Sequence, residues 1–257
     1  MWQDVVDLRQ FYDTSLGQVA RRMIRRRLRA LWPDVHGQSV LGLGYATPYL
    51  RPFQDEAQRV VALMPARMGV VHWPTEGPNR TAIAEEAELP LEDLSMDRVL
   101  LVHCLECTEQ LRAHLREVWR VLADGGRLMV VVPNRRSIWA RADHTPFGHG
   151  FPYSQGQIQK VLREAMFAPL QTSRALYMPP LKRRFLLTSA PAWEELGGRW
   201  LQPLAGVTLV EASKQVYAGV VERRRIGRRV YAPVRAVIPG SGRGSPRQSP
   251  HGDDAPA

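Results

Sequence analysis

Apolar residues at 16, 19, 20, 23, 24, 28 and 31 recur at the three- and four-residue intervals of one helix face. Arginines fill most of the other positions, so the pattern predicts an amphipathic helix with a cationic outer side, stopped by Pro33 and Gly37. The pattern then changes to short, near-continuous apolar runs: "SVLGLG" (39–44), "RVVALM" (59–64), "MDRVLLVHCL" (96–105) and "RLMVVVPN" (127–134). Runs of this length and composition read as strands buried on both faces. Thr47 and Pro48 have the character of a cap and a first helical residue. Apolar residues at 111, 115, 118, 119 and 122 predict a second amphipathic helix over 109–123, closed by "DGG" at 124–126. Ser154 is placed to cap a helix over 155–167, and the segments 183–190 and 206–218 have strand character.

Strands that alternate with helices imply parallel pairing through right-handed crossovers. The expected fold is therefore α/β: a Rossmann-like, doubly wound, mostly parallel sheet with an N-terminal helical cap. The 257 residues divide into a basic helical cap (1–37), an α/β domain (38–218) and a basic tail (219–257). The tail is rich in Arg, Pro, Gly and Ser, cannot bury a core, and is expected to be disordered.

Charge sharpens this division. Residues 15–35 hold six arginines against Asp34, giving +5, and residues 221–257 hold eight against three acids, giving another +5; together they equal the net charge of +10. The middle of the chain is close to neutral, so its pocket is not a general polyanion groove. The two arginine clusters are candidates for weak contact with anionic surfaces such as lipid headgroups or nucleic-acid phosphate. No apolar run approaches the about 18 residues that span a bilayer, and no basic leader precedes an apolar run. The two cysteines, Cys104 and Cys107, read as reduced thiols, and no metal-ligand spacing accompanies them. A cytoplasmic setting is the expectation.

In open α/β sheets ligands bind at the carboxyl ends of the strands, where a glycine-rich first loop lets backbone approach the ligand and an acid about 20 residues on holds a ribose diol. Gly42 and Gly44 meet part of the first requirement, but Met64 stands where the acid would be.

Residues 38–170 resemble the class I S-adenosylmethionine (SAM)-dependent methyltransferases, specifically the small type 11 group. The likeness rests on ordered pieces: "VLGLGYATP", "AELPLEDLSMDRVLLVHCLE", "LREVWRVLADGGRLMVVVPN" and "TPFGHGFPYSQGQIQKVLREAMF". It implies SAM as cofactor and methyl transfer as the reaction. It places Gly42, Gly44, Tyr45 and Ala46 at the methionyl side, Met64 near the ribose, and Glu85 and Glu86 near adenine. His103 would lie nearest the acceptor as the catalytic residue, beside Cys104 and Glu106. Asn134, His149 and Tyr153 would sit on loops lining the acceptor side.

The departures from the family pattern make the SAM loop a degenerate one. Gly42 replaces an acid, the three alternate glycines read Gly44, Ala46 and Pro48, and the ribose acid is Met64. A charged hydrogen bond contributes about 1.5 to 3 kcal/mol, so losing two weakens binding by about 100-fold to 10,000-fold unless something replaces them. Backbone groups from Gly44 to Ala46, Tyr45 over the adenosine, or His72 beyond the second strand are the candidate replacements. Two function classes stay open: a methyltransferase with an unidentified small-molecule or macromolecular acceptor, and a catalytically silent protein of the same fold with a regulatory or scaffolding role. The enzymatic reading expects an open cleft beside Gly44, bordered by Met64 and His103.

Overall fold

The computed structural model describes residues 2–181 and 187–215. Within them a seven-stranded sheet runs β1 (Ser39–Gly44), β2 (Arg59–Pro65), β3 (Thr81–Ala84), β4 (Met96–Val102), β5 (Leu122–Pro133), β6 (Phe167–Ala175) and β7 (Val207–Lys214). The spatial order is β3-β2-β1-β4-β5-β7-β6. The first five strands pair in parallel, and β7 runs antiparallel to both β5 and β6. The expected mostly parallel, Rossmann-like sheet is therefore present.

Two N-terminal helices pack on this sheet: α1 (Val5–Asp13) and α2 (Ser15–Leu31), with Asp4 and Thr14 capping them through their side chains. The apolar face anticipated from Leu16 onward is buried, with Leu16, Val19, Ala20, Met23, Ile24 and Leu28 in the core. The chain leaves α2 at Trp32, whose indole N–H donates to Glu211 Oε1 of β7 at 3.0 Å. A short helix, α3 (Thr47–Leu50), follows β1, and Thr47 is its first residue rather than its cap. The second amphipathic helix is α4 (Leu111–Val121), and the "DGG" turn lies inside the long strand β5. Ser154 caps α5 (Gln155–Glu164) through a full capping box with Gln157.

Three elements depart from the sequence reading. Helix α1 was not anticipated, nor was β6, which occupies the residues directly after α5. Of the expected strand over 183–190, residues 187–190 are turn and helix instead, leading into α6 (Ala190–Trp200), while 182–186 lie outside the described residues. The last strand ends at Lys214, and its expected extension to 218, like the basic tail, lies beyond the described residues. A compact unit spans Met1–Ala218. Among the described residues no helix is long and apolar enough to cross a membrane.

Candidate functional site

The strand order reverses between β1 and β4, which makes the crevice beyond their carboxyl ends the place for a ligand. Gly44 ends β1 with φ +74°, and a Cβ there would lie 2.4 Å from the Val102 carbonyl oxygen. The Tyr45 N–H donates to that same oxygen at 2.9 Å. The glycine thus serves the close approach of β1 to β4. Gly42 serves packing as well, because a Cβ there would meet Leu50 at 2.6 Å and Ala46 at 2.8 Å. Beyond β4 the chain turns at His103, a non-glycine residue with φ +50°.

The open cleft expected beside Gly44 is filled. Tyr12 of α1 lies in it, its hydroxyl 2.7 Å from His103 Nε2 and 2.8 Å from the Tyr49 hydroxyl. Its ring stacks on Tyr45, with centroids 5.7 Å apart and planes 24° apart. Phe147 packs against the His103 ring from the loop after β5, and Phe11 against Phe147. Val5 donates its backbone N–H to Met68 O at 2.8 Å, which fixes α1 across the end of β2. Tyr45, Met64, His103 and Cys104 are 4%, 0%, 2% and 0% exposed. The point between Gly44, Met64 and His103 is therefore closed as packed, while Tyr45 and His72 line an open cleft on the other side of Tyr12. Burial, the first cause in each case, raises the pKa of Tyr12 and Tyr49 well above the ordinary phenol value and pushes Tyr45 up to about 12. All three hydroxyls are neutral at physiological pH.

Under this aromatic layer lies a buried acid–base pair. His103 Nδ1 and Glu106 Oε1 are 3.6 Å apart, and neither atom has a hydrogen-bond partner. Glu106 Oε2 accepts from the Cys104 N–H at 3.2 Å. On the adenine side, Glu85 is exposed while Glu86 is buried and accepts from the Thr108 hydroxyl. The Glu86 carbonyl accepts from His114 Nδ1 at 2.8 Å, and His114 Nε2 faces Cys104 Sγ at 3.3 Å. Burial lowers the His114 pKa and raises those of Cys104 and Cys107, so none of these is a reactive thiolate or an imidazolium at neutral pH.

The residues expected on the acceptor side are divided. Asn134 and Tyr153 meet in an isolated bridge, and the Tyr153 hydroxyl donates to Leu105 O at 3.2 Å. The Asn134 amide donates to the carbonyls of Pro203 and Ala205, which fastens the loop ahead of β7. His149 is turned toward the carbonyl of Asp143 at 2.8 Å. Glu106 is locked beneath the 150–151 turn, its carbonyl accepting from Phe151 N–H at 2.8 Å.

Sequence reasoning missed Tyr12, which hydrogen-bonds His103 and stacks on Tyr45. Its signal was present: Val5, Leu8, Phe11 and Tyr12 fall at helical intervals behind Asp4, a good cap. It also missed His114 and Thr108, which gain their roles only when α4 is docked.

Residues 41–130 match the family model of a methyltransferase domain. No curated protein matches the chain in sequence. Among solved structures, a SAM-dependent methyltransferase from Thermotoga maritima is similar at 16% identity and TM-score 0.58, covering 82% of this chain and 96% of that one. A Haloferax volcanii methyltransferase, solved with the Trm112 methyltransferase activator, is similar at 17% identity and TM-score 0.57, covering 84% and 100%. A SAM-dependent methyltransferase from Archaeoglobus fulgidus is similar at 16% identity and TM-score 0.55, covering 80% and 96%.

Proposed function

We propose that this chain, a class I SAM-dependent methyltransferase by its domain match and sheet order, transfers a methyl group from SAM to an acceptor, and that α1 must leave the crevice before the cofactor enters. The match over 41–130 carries the activity, because it spans the first loop and the strand ends where such a cofactor sits. The filled crevice carries the gate. With α1 displaced, the proposed cofactor wall runs over the ends of four adjacent strands: Gly42, Gly44, Tyr45 and Ala46, then Met64, then Glu85 and Glu86, with His103 beside them.

The demands on the chain are mainly alignment of an acceptor atom. A base is needed only if the acceptor arrives protonated. His103 is the proposed base, since losing Tyr12 frees Nε2, and Glu106 behind Nδ1 would steady the protonated ring. Asn134 and Tyr153 are proposed to shape the acceptor side, Glu106 and His149 less directly. The acceptor and any protein partner are unidentified, and the setting proposed is the cytoplasm.

The comparisons give a silent scaffold no support, but the filled crevice bears on that second reading and one titration separates the two. Burying Val5, Leu8 and Phe11 stabilises the closed form by about 1.5 to 3 kcal/mol each, and an occluded site weakens apparent affinity by the fraction of open molecules. Calorimetry with S-adenosylhomocysteine is expected to show weak binding to the wild type. The same titration of Tyr12→Ala, which removes the hydrogen bonds and stacking that hold the plug, should show binding tightened by about 10-fold to 100-fold. No binding to either protein at millimolar ligand would leave only the inherited scaffold.

A further inference from the structure

A cleft of 1150 Å³ adjoins the filled crevice, with Tyr12 and Tyr45 as the wall between them and Thr47 and Pro48 of the first loop beside it. Its walls are the polar sides of α1 and α2, the region of α3, and the irregular connection between β2 and β3. Arg21 and Arg25 reach it from α2, Arg51 from the turn after α3, Arg9 from α1, and Arg80 from just before β3. Three carboxylates also line it, Asp13, Asp55 and Glu76, so five guanidinium groups against three acids leave two positive charges in excess.

The five arginines are set apart by converging on one concavity. Among the described residues none of them forms an ion pair with a carboxylate, whereas Arg29 is gripped by both oxygens of Glu56, and Arg120 by Glu117 and Asp93. Arg25 is partly buried among them; that burial, with the nearby charges of Arg21 and Arg51, lowers its pKa. Guanidinium groups that converge in a concavity without partners repel one another and destabilise the fold. They also form a ready receptor for phosphate, whose oxygens match the planar fork bidentately. Trp73, half-buried and next to Pro74, gives the same cleft an apolar wall.

We propose that this cleft binds a small molecule carrying two or more phosphate groups, held by Arg21, Arg25 and Arg51, with its carbon portion against Trp73. A nucleic-acid strand fits less well. Strand-binding grooves track a backbone with a continuous cationic lining and stacked aromatics, whereas here the arginines converge and three carboxylates interrupt them. The three holding arginines lie on α2 and after α3, so the assignment does not rest on methyl transfer, although α1 forms part of the wall.

Calorimetric titration of the full chain with inorganic pyrophosphate at low salt tests it. Saturable one-to-one binding is expected, weakened at least about tenfold in Arg25→Gln and in Arg51→Gln, as loss of a charge-assisted contact implies. Arg22→Gln, altering an exposed arginine of α2 outside the cleft, should change affinity less than about twofold. Melting without ligand guards against misfolding. Arg25→Gln should melt no lower than the wild type, because a like-charge contact is relieved, and Arg51 is exposed, so its variant should fold normally. Pyrophosphate should raise the melting temperature of the wild type and not of either variant. Absence of saturable binding, equal weakening in Arg22→Gln, or preference for a single-stranded oligonucleotide over pyrophosphate would each overturn the assignment.

Discussion

A methyl group at Gly44 has nowhere to go: Val102 O would be 2.4 Å away, Cys104 Cβ 2.9 Å, and the φ of +74° is strained for any side chain. Gly44→Ala is expected to lower stability by about 2 to 4 kcal/mol, read as a shift of the urea midpoint at unchanged slope. His114 sets a pH dependence of its own. It is buried, donates from Nδ1 to Glu86 O, and faces Cys104 and the carboxylate of Glu117, yet burial outweighs these acids and lowers its pKa from 6.5. A lowered histidine pKa means the unfolded chain binds more protons below that value. The stability contribution is therefore complete above about pH 6.5 and is lost as pH falls below it. The melting temperature should decline between pH 7 and pH 5, and His114→Gln should flatten that decline. At this scale the sequence exposed the glycines and His103 as special, but not their reasons. Gly44 reads as a ligand contact and is also required by β4, a partner 58 residues distant that periodicity cannot reveal.

Helices α1 and α2 behave differently as elements. Helix α2 was legible because seven apolar positions repeat over four turns, whereas α1 has only nine residues and begins close to the chain start. Strand β6 was illegible for another reason. It is the sheet edge, and Gln171, Thr172, Ser173 and Arg174 give it neither alternation nor an apolar run. Its anchorage is polar instead. Glu211 of β7 accepts from the Trp32 indole through one oxygen and from the Gln171 amide at 2.8 Å through the other. Trp32→Phe keeps an aromatic ring, loses the five-membered half of the indole and strands that buried carboxylate oxygen. It should destabilise by about 1 to 3 kcal/mol in chemical denaturation, and Trp32→Phe combined with Glu211→Gln should lose less than the sum of the single changes.

For the molecule as a whole, the parallel sheet, its switch point and the methyltransferase likeness could all be read from the chain, while the state of the crevice could not. Departures at Gly42, Met64 and Pro48 pointed to a weakened site. The structure adds a physical competitor, since Tyr12, Tyr45 and His103 pack on one another over the proposed cofactor wall. A micromolar ligand contributes about 8 kcal/mol of binding free energy, comparable with the apolar burial that holds α1 down, so entry depends on how far the helix can be released. The most direct measurement is a crystal structure of the protein grown with S-adenosylhomocysteine at millimolar concentration. The account predicts density for the nucleoside beside Gly44 and Met64, with the Tyr12 hydroxyl withdrawn from His103. A crevice still closed by Tyr12 on His103 and Tyr45, with no ligand in it, would contradict it.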